Sequence, residues 1–523
     1  IQAFSRTNRI FETNKKYGQI VTFQAPKLFK ESVDNAVKLY SAGSTGIAIL
    51  AQWEEVEPAF RKALSALRIC AESPSEIPEM SMKEKKILPL VLSMSLPMVL
   101  SMLVNSLYNI IDSYFVAKIS ENAMTALSLV YPLQILINAV AVGLGIGLNT
   151  AASFYLGAQD HEKANDSASV GMILSVIHGL VLTLICVLIV PHFLQLFTQD
   201  ETVISYALTY SYIVFGFTTP ITVSIAFEKV FQAEGQMMIT MTTMLCGCIT
   251  NIILDPIFIF GIGPVPQMGI AGAAWATGIG QIVPMMLYFI IYLKKPFPLR
   301  LRIRKGMFDP QLCGRIYGVG IPAALNMALP SLMITALNGI LVSFSSVYVL
   351  VLGIYYKLQT FIYLTANGIV QGIRPIAGYN YGAGEYKRVR SVFKTALVLT
   401  AGVMLAGTII CIICASWLMG LFTSNPETIS AGCTALRIIS LGFMVSSVSV
   451  TASGLLEGLG QGTLSLIISF MRYLLVIVPV AFLLSHLIGA TGVWHAFWIT
   501  EAVSAFTSWM VYKKKIVHGL LMN

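Results

Sequence analysis

The sequence predicts an all-α integral membrane fold of twelve transmembrane helices in two pseudo-symmetric six-helix lobes, and three observations carry that expectation. Of 523 residues, 56% are hydrophobic and 11% charged, where a soluble domain carries about 25% charged residues; the mean hydropathy is +0.75. Apolar runs of membrane length succeed one another from Ile87 to the C-terminal region. The two halves of that stretch repeat. The formal net charge of +9 lies between apolar runs, as in cytoplasmic loops, so it gives no nucleic-acid signal.

Residues 1–82 are of different composition, with ten Lys/Arg and nine Asp/Glu. They hold one short apolar run at Gly46–Leu50, and Phe60, Leu64 and Leu67 fit one face of an amphipathic helix. No charged segment followed by a long apolar core is present, so no signal peptide is expected. Met80-Ser81-Met82-Lys83 reads as the natural start of the membrane part, with 1–82 an extension that takes no part in the chemistry.

A helix needs about 20 apolar residues to span a bilayer. Twelve spans are expected: 87–117, 123–154, 165–191, 202–227, 238–262 and 270–293 in an N-terminal lobe of residues 83–293, then 312–343, 347–378, 389–417, 428–455, 463–486 and 489–512 in a C-terminal lobe of residues 311–515. A tail, 516–523, follows. The internal prolines Pro97, Pro132, Pro220, Pro322 and Pro330 are kinks of the sort membrane bundles tolerate. The basic stretch 294–310 reads as the cytoplasmic linker. Loops after even-numbered spans carry Lys163, Lys229, Lys294, Arg300, Arg302, Arg304, Lys387 and Arg388, whereas those after odd-numbered spans hold little beyond Lys118. The positive-inside rule then places both termini in the cytoplasm.

A shift of 225 residues pairs Pro97 with Pro322, Gly143 with Gly368, Gly147 with Gly372, Gly157-Ala158 with Gly382-Ala383, Leu196-Phe197-Thr198 with Leu421-Phe422-Thr423, and Gly235-Gln236 with Gly460-Gln461. Each half has six spans, so the repeat keeps its orientation and the two-fold axis runs along the membrane normal. Parallel repeats of this kind are a transporter design, with binding near the midplane and rocking of the halves.

Two acids stand inside apolar runs. Asp112 ends Tyr108-Asn109-Ile110-Ile111-Asp112, and Asp255 lies in Asn251-Ile252-Ile253-Leu254-Asp255-Pro256. A carboxylate there costs on the order of 2.5–3.5 kcal/mol on insertion scales, so it faces a partner or cavity and marks an ion or proton path. The i,i+4 spacing puts Tyr108 with Asp112, and Asn251 with Asp255, on one helix face. We expect Asp112 and Asp255 to face each other and to carry a coupling cation. The alternative is a pair of helix-end acids at the membrane surface.

These stretches, with Gly157-Ala158 and Tyr379-Asn380-Tyr381-Gly382-Ala383, Gln232-Ala233-Glu234-Gly235, and Gly269-Ile270-Ala271-Gly272-Ala273-Ala274-Trp275-Ala276-Thr277, resemble the multidrug and toxic compound extrusion (MATE) family over residues 85–515. The run from Tyr356-Lys357-Leu358-Gln359 to Gln371-Gly372-Ile373-Arg374-Pro375 looks most like its MepA-like bacterial exporters. The resemblance implies cation-coupled drug export, with the cation site carried over onto Asp112, Asn251, Asp255 and Thr277. Two carboxylates, a carboxamide and a hydroxyl suit a sodium ion, and two close carboxylates can equally hold a proton. The repeat sets Leu337 opposite Asp112, Val476 opposite Asn251 and Val480 opposite Asp255, so the helices themselves do not demand the acids.

For the substrate cavity we expect Tyr108, Tyr131, Gln134, Asn138, Asn149, Lys357, Gln359, Asn367 and Gln371, since adaptable pockets use aromatic and amide side chains. Pro97 is the expected hinge of the first span. Glu228 and Lys229 are read as a solvated helix end or part of an inner gate, with Glu457 in a similar turn. Glu501 is the mid-span acid of the second half, with Arg437 and Arg472 as conceivable partners.

Six of the eight cysteines lie in or beside apolar runs and read as packing residues rather than zinc or redox ligands, and the histidines have no paired metal-ligand spacing. No catalytic residue, cofactor or metal beyond a possible Na+ is expected. No GxxxxGK[ST] occurs, so nucleotide is not the expected fuel. The expected protein is a monomeric H+- or Na+-driven antiporter of the plasma membrane, exporting organic cations, with lipid around it. Its rivals are a flippase for lipid-linked saccharides, which would want a cationic cavity, a membrane-embedded enzyme, and a sensor.

Overall fold

The computed structural model describes residues 82–83, 85–294 and 297–518. The amphipathic pattern at Phe60–Leu67 and the end of the tail lie outside the described residues. Lys85–Asn523 forms one compact unit, and its described residues contain helices and no strand.

The N lobe runs through α1 (Ile87–Ala117), α2 (Glu121–Gly157), α3 (His161–Gln195), α4 (Glu201–Gly216), α5 (Thr218–Ala233), α6 (Met237–Phe260) and α7 (Ile270–Lys294). The C lobe follows with α8 (Pro310–Leu341), α9 (Ser346–Gly382), α10 (Tyr386–Ile413), the short α11 (Ala415–Gly420), α12 (Pro426–Gly458), α13 (Gly462–Phe470), α14 (Ile477–Ile488) and α15 (Ala490–Tyr512). A π-helical segment, Met471–Leu475, joins α13 to α14, and a second, Lys513–His518, continues α15.

Every expected span coincides with a helix or a broken pair. Among the described residues, 10 are long and apolar enough to cross a membrane, and α4 with α5 makes an eleventh as one span bent by 45°. That break divides the stretch expected as the single span 202–227. Phe217 has left helical geometry, and Pro220 falls in the first turn of α5, where a missing N–H costs nothing. The twelfth, α15, is 23 residues long but carries His495, Thr500, Glu501 and Ser504, and it is held by packing against α12. The exposed faces are apolar: α3 turns Leu180, Val181, Leu184 and Leu188 outward, an apolar stripe that suits a lipid surround.

The repeat is visible in local structure. Ser120 caps α2 by accepting from Ala123 N–H, and Ser345, its counterpart under the shift of 225, caps α9 by accepting from Val347 N–H. Asp200 and Asn425 are a second such pair, capping α4 and α12. Each cap is worth about 1 kcal/mol.

The same shift governs how the lobes meet. A Cβ on Gly157 would collide with the carbonyl of Tyr379, and one on Gly382 with the carbonyl of Phe154. Likewise Gly147 lets α2 close on α8 at Ile316 and Gly320, and Gly372 lets α9 close on α1 at Ser95. Ser95 Oγ donates to Ile369 O at 3.3 Å, and Thr150 Oγ1 donates to Glu457 O at 3.1 Å. These contacts involve the first half of α1 and α8 and the second half of α2 and α9. They therefore gather at the end of the bundle that carries the 295–309 connection.

That connection is pinned to the N lobe. The N–H groups of Leu299, Arg300 and Arg302 donate to Glu234 Oε1, Asn165 Oδ1 and Ser169 Oγ. The Arg304 guanidinium grips both Glu162 and Asp166, and these carboxylates hold its pKa well above the ordinary value.

Candidate functional site

The buried residues of α6 form one stripe, Thr240, Thr243, Gly247, Cys248, Asn251, Asp255 and Ile259. Their three- and four-residue spacing is that of a single helix face. Gly247 and Gly280 let α6 and α7 approach closely, since a Cβ on Gly247 would strike Pro284 and the Gly280 carbonyl, and one on Gly280 would come 2.9 Å from Asn251 Cβ. This approach brings Thr277 of α7 onto the Asn251–Asp255 face.

With its amide turned to suit its neighbours, Asn251 donates to Asp255 Oδ2 at 3.1 Å and accepts from the Thr277 N–H at 3.2 Å. Asp255 is 0% exposed. Asp112 comes from the C-terminal half of α1, where Leu107, Ile110 and Tyr114 are all exposed; it is itself buried, and its carboxyl lies within hydrogen-bonding reach of that of Asp255. Asp112 Oδ1 and Thr277 Oγ1 are buried with no hydrogen-bond partner. The structure thus brings Asp112, Asn251, Asp255 and Thr277 together and leaves two oxygens over. Two ionised carboxylates within hydrogen-bonding reach of each other repel by several kcal/mol at an effective dielectric of ~20. The arrangement therefore favours a positive charge, as a proton or a metal cation, between them.

Tyr108, one turn from Asp112, neighbours both carboxylates, Cys248 and Tyr131. Tyr210 of α4 closes the other side: it is 1% exposed, accepts from Gln134 Nε2 at 3.3 Å, and lies beside Asp112 and Thr277. Sequence reasoning missed Tyr210. It is one of three tyrosines in α4, with Tyr206 and Tyr212, and only the fold separates the inward one; the helical spacing from buried Val203, Ala207 and Val214 was the available signal.

The expected cavity residues divide. Tyr131 and Asn138 are exposed on α2, with Gln134 half-buried between them on the same face. On α9, Gln359, Tyr363, Asn367 and Gln371 recur every fourth residue, and Gln371 Nε2 reaches across to Met102 Sδ of α1 at 3.6 Å. That face of α9 is therefore turned toward the N lobe. Two expectations fall elsewhere. Asn149 is 2% exposed and donates to Lys229 O at 2.9 Å, so its amide ties α2 to α5. Lys357 is exposed, and its Nζ lies 5.9 Å from the ring centre of Phe422 in the C lobe's own connection, about 21 Å along α9 from Gln371.

Of Glu228 and Lys229, expected as a solvated helix end or part of an inner gate, Lys229 is buried and Glu228 is half-buried. Lys229 is 3% exposed, and its Nζ lies 2.8 Å from Glu228 Oε1 and 3.0 Å from Gln232 Oε1. Glu457, the repeat partner of Gln232, pairs with Arg374 at 2.6 Å and accepts from Asn326 and Ser465. Around Pro97, α1 exchanges neighbours: Met98 meets Gln232 of the N lobe while Ser95 and Met102 meet α9. Ser101 Oγ donates to Pro97 O at 2.8 Å.

In the C lobe the acid positions are apolar. Leu337 is 0% exposed within a core with Met333, Leu341, Ile477 and Ala481. Glu501 is paired with Arg472, whose Nε and Nη2 donate to its Oε1 at 2.8 and 2.6 Å. Arg437 Nε donates to the Ile412 carbonyl at 3.4 Å. Among the described residues no group of three His, Cys, Asp or Glu could hold a metal ion. A groove of about 640 Å³ along Gln195, Ser205 and Tyr212 shares no residue with the carboxylate site.

Comparison with known proteins adds the following. The MatE family model matches residues 97–257 and 322–483, more than half of the chain. A second model, described as Type I restriction enzyme subunit R domain 3, matches residues 1–25 alone. The chain is 26% identical over 430 residues to "Multidrug export protein MepA" of Staphylococcus haemolyticus (strain JCSC1435), covering 82% of this chain and 94% of that protein. It is 28% identical over 426 residues to the protein of the same name from Staphylococcus aureus (strain MSSA476), covering 80% and 91%. A solved structure of a MOP superfamily transporter from Pyrococcus furiosus, described as having a binding pocket of reverse polarity that suggests a different function, aligns with TM-score 0.79 at 23% identity, covering 84% of this chain and 98% of that one. The outward-facing conformation of a multidrug resistance MATE family transporter aligns with TM-score 0.79 at 23% identity, covering 85% and 98%.

Proposed function

The chain belongs to the MatE family, and on that premise we propose that it is a plasma-membrane antiporter that exports drugs, organic cations among them, in exchange for a proton or a sodium ion. The observation that carries the coupling is the meeting of Asp112 with Asp255, Asn251 and Thr277 around two unsatisfied buried oxygens. The multidrug export named for the staphylococcal relatives supplies the substrate class.

In this mechanism a cation arriving from outside relieves the repulsion between Asp112 and Asp255 and draws α1 against α6. The first half of α1 packs on the C lobe and its outer half carries Asp112. A change at the carboxylates therefore bears on the contact between lobes through Pro97. Drug bound between the α2 and α9 faces is released outward as α1 moves; drug entering from the cytoplasm then favours loss of the cation. The protein works as a monomer with both termini cytoplasmic.

The test is ethidium efflux from loaded vesicles under a sodium gradient and a proton gradient imposed separately. Efflux should follow one gradient and stop in Asp112→Asn and in Asp255→Asn. Full efflux from Asp112→Asn would refute the coupling.

A further inference from the structure

The C lobe has a polar cluster that the exchange mechanism leaves unused. The π-helical segment Met471–Leu475 carries Arg472 into the lobe; such segments are frequent at functional sites. Both guanidinium bonds to Glu501 fall on Oε1, while Oε2 is buried with no hydrogen-bond partner. The side chains are 9% and 12% exposed. A buried ion pair offsets its desolvation only when its remaining lone pairs are satisfied, and here one oxygen is not.

Arg472 is also held from a second side. Its Nη2 donates to Tyr363 OH at 2.9 Å, and Tyr363 in turn donates to Ser446 Oγ at 2.8 Å. Tyr363 stands on the α9 face that also carries Gln371, the residue that reaches the N lobe. It is eight residues, about 12 Å, further along the helix in the direction in which the lobes part. The guanidinium is thus joined through one hydroxyl to the helix that reaches the N lobe.

We propose that the Arg472–Glu501 pair is a second proton site, one that sets the affinity of the C-lobe wall for a cationic substrate. A proton taken from cavity water forms an O–H bond on Glu501 Oε2, next to the Ser449 hydroxyl. The pair then passes from net zero to net +1. Arg472 loses its counter-charge, keeps its bond to Tyr363, and leaves a positive charge behind the wall; loss of the proton restores neutrality. The groups facing the pair are Tyr355, Tyr356 and Tyr363 of α9 and Tyr473 of the π segment, with Ser446 and Ser449 of α12. One unit charge about 10 Å from an organic cation, at an effective dielectric of ~20, weakens its binding roughly tenfold.

The inference rests on the proposed export cavity, and the experiment separates the two. Tetraphenylphosphonium binding is measured on the purified full chain at about pH 5.5 and about pH 8, either side of neutrality. The background is Asp112→Asn/Asp255→Asn, so that the N-lobe carboxylates contribute nothing. The parent should bind roughly tenfold more weakly at the lower pH. Glu501→Gln should bind weakly at both values, and Arg472→Gln/Glu501→Gln tightly at both. Thermal unfolding in detergent confirms that each form is folded. If Glu501→Gln does not fold, the double variant decides alone. A pH dependence that survives in either variant, or Glu501→Gln binding as tightly as the parent at about pH 8, would overturn the proton site. Absence of binding by every form at every pH would overturn the export cavity, and this inference with it.

Discussion

In the N lobe, α6 and α7 meet across Gly247 and Gly280 and present Asn251, Asp255 and Thr277 to Asp112. In the C lobe the residue equivalent to Gly247 is Arg472, and the helices meet across its ion pair with Glu501. The lobes share paired caps and reciprocal glycine contacts, while the C-lobe counterpart of α6 is interrupted by a π-helical segment at Arg472. The difference teaches where charge is balanced. The C lobe supplies its own counter-ion one helical turn from the position of the N-lobe site. The N lobe supplies two acids, and among the described residues no basic side chain acts on them. The C lobe neutralises its acid internally, and in the proposed mechanism the N lobe takes up a cation from outside the protein.

The largest effect should come from removing that dependence. Asp255→Asn, like Asp112→Asn, should reduce gradient-driven ethidium efflux to the level of protein-free vesicles, while thermal unfolding shows the protein still folded. Neutralising the C-lobe pair singly should act on stability. Arg472→Met leaves Glu501 buried and unpaired and should cost about 3–5 kcal/mol, whereas Arg472→Met with Glu501→Leu should be close to neutral. Chemical denaturation in detergent would show this, and equal losses in the single and double variants would break the contrast between lobes. The symmetric contact gives a matched pair of smaller effects. Gly157→Ala and Gly382→Ala each push a Cβ into a carbonyl of the other lobe, and each should cost about 1–3 kcal/mol. Sharply unequal losses would mean that the two copies of the contact bear different loads. Arg304→Ala should do least, loosening the 295–309 connection on the N-lobe surface; faster proteolysis there, with efflux unchanged, is the expected result.

The frame was legible in the sequence because its signals are local or repeated. Span length and composition give the helices, and the 225-residue shift gives the two-fold arrangement. Asp112 and Asp255 were legible because a charge stands out in an apolar run, and Asn251 because it lies one turn from Asp255. Thr277 entered only through family resemblance; the glycine contact that delivers it depends on how α6 and α7 pack. Polar residues with two plausible environments were harder. Asn149 and Lys357 sit on long helices whose polar positions do not announce their facing, and Lys229 looked like a helix end until Asn149, Glu228 and Gln232 closed over it. The break between α4 and α5 had a signal in Pro220, but an apolar stretch of span length reads as continuous.

The Gly157–Tyr379 and Gly382–Phe154 contacts are isologous, the kind made by a two-fold homodimer in which each subunit meets the other through the same patch. In such a dimer any substitution appears twice, so two acids in one subunit bring two in its partner. A single chain that holds both copies escapes that constraint. It can keep the paired carboxylates in one half and fill the matching volume of the other with Leu337, Val476 and Val480, so that the two halves differ in charge while the contact between them stays symmetric.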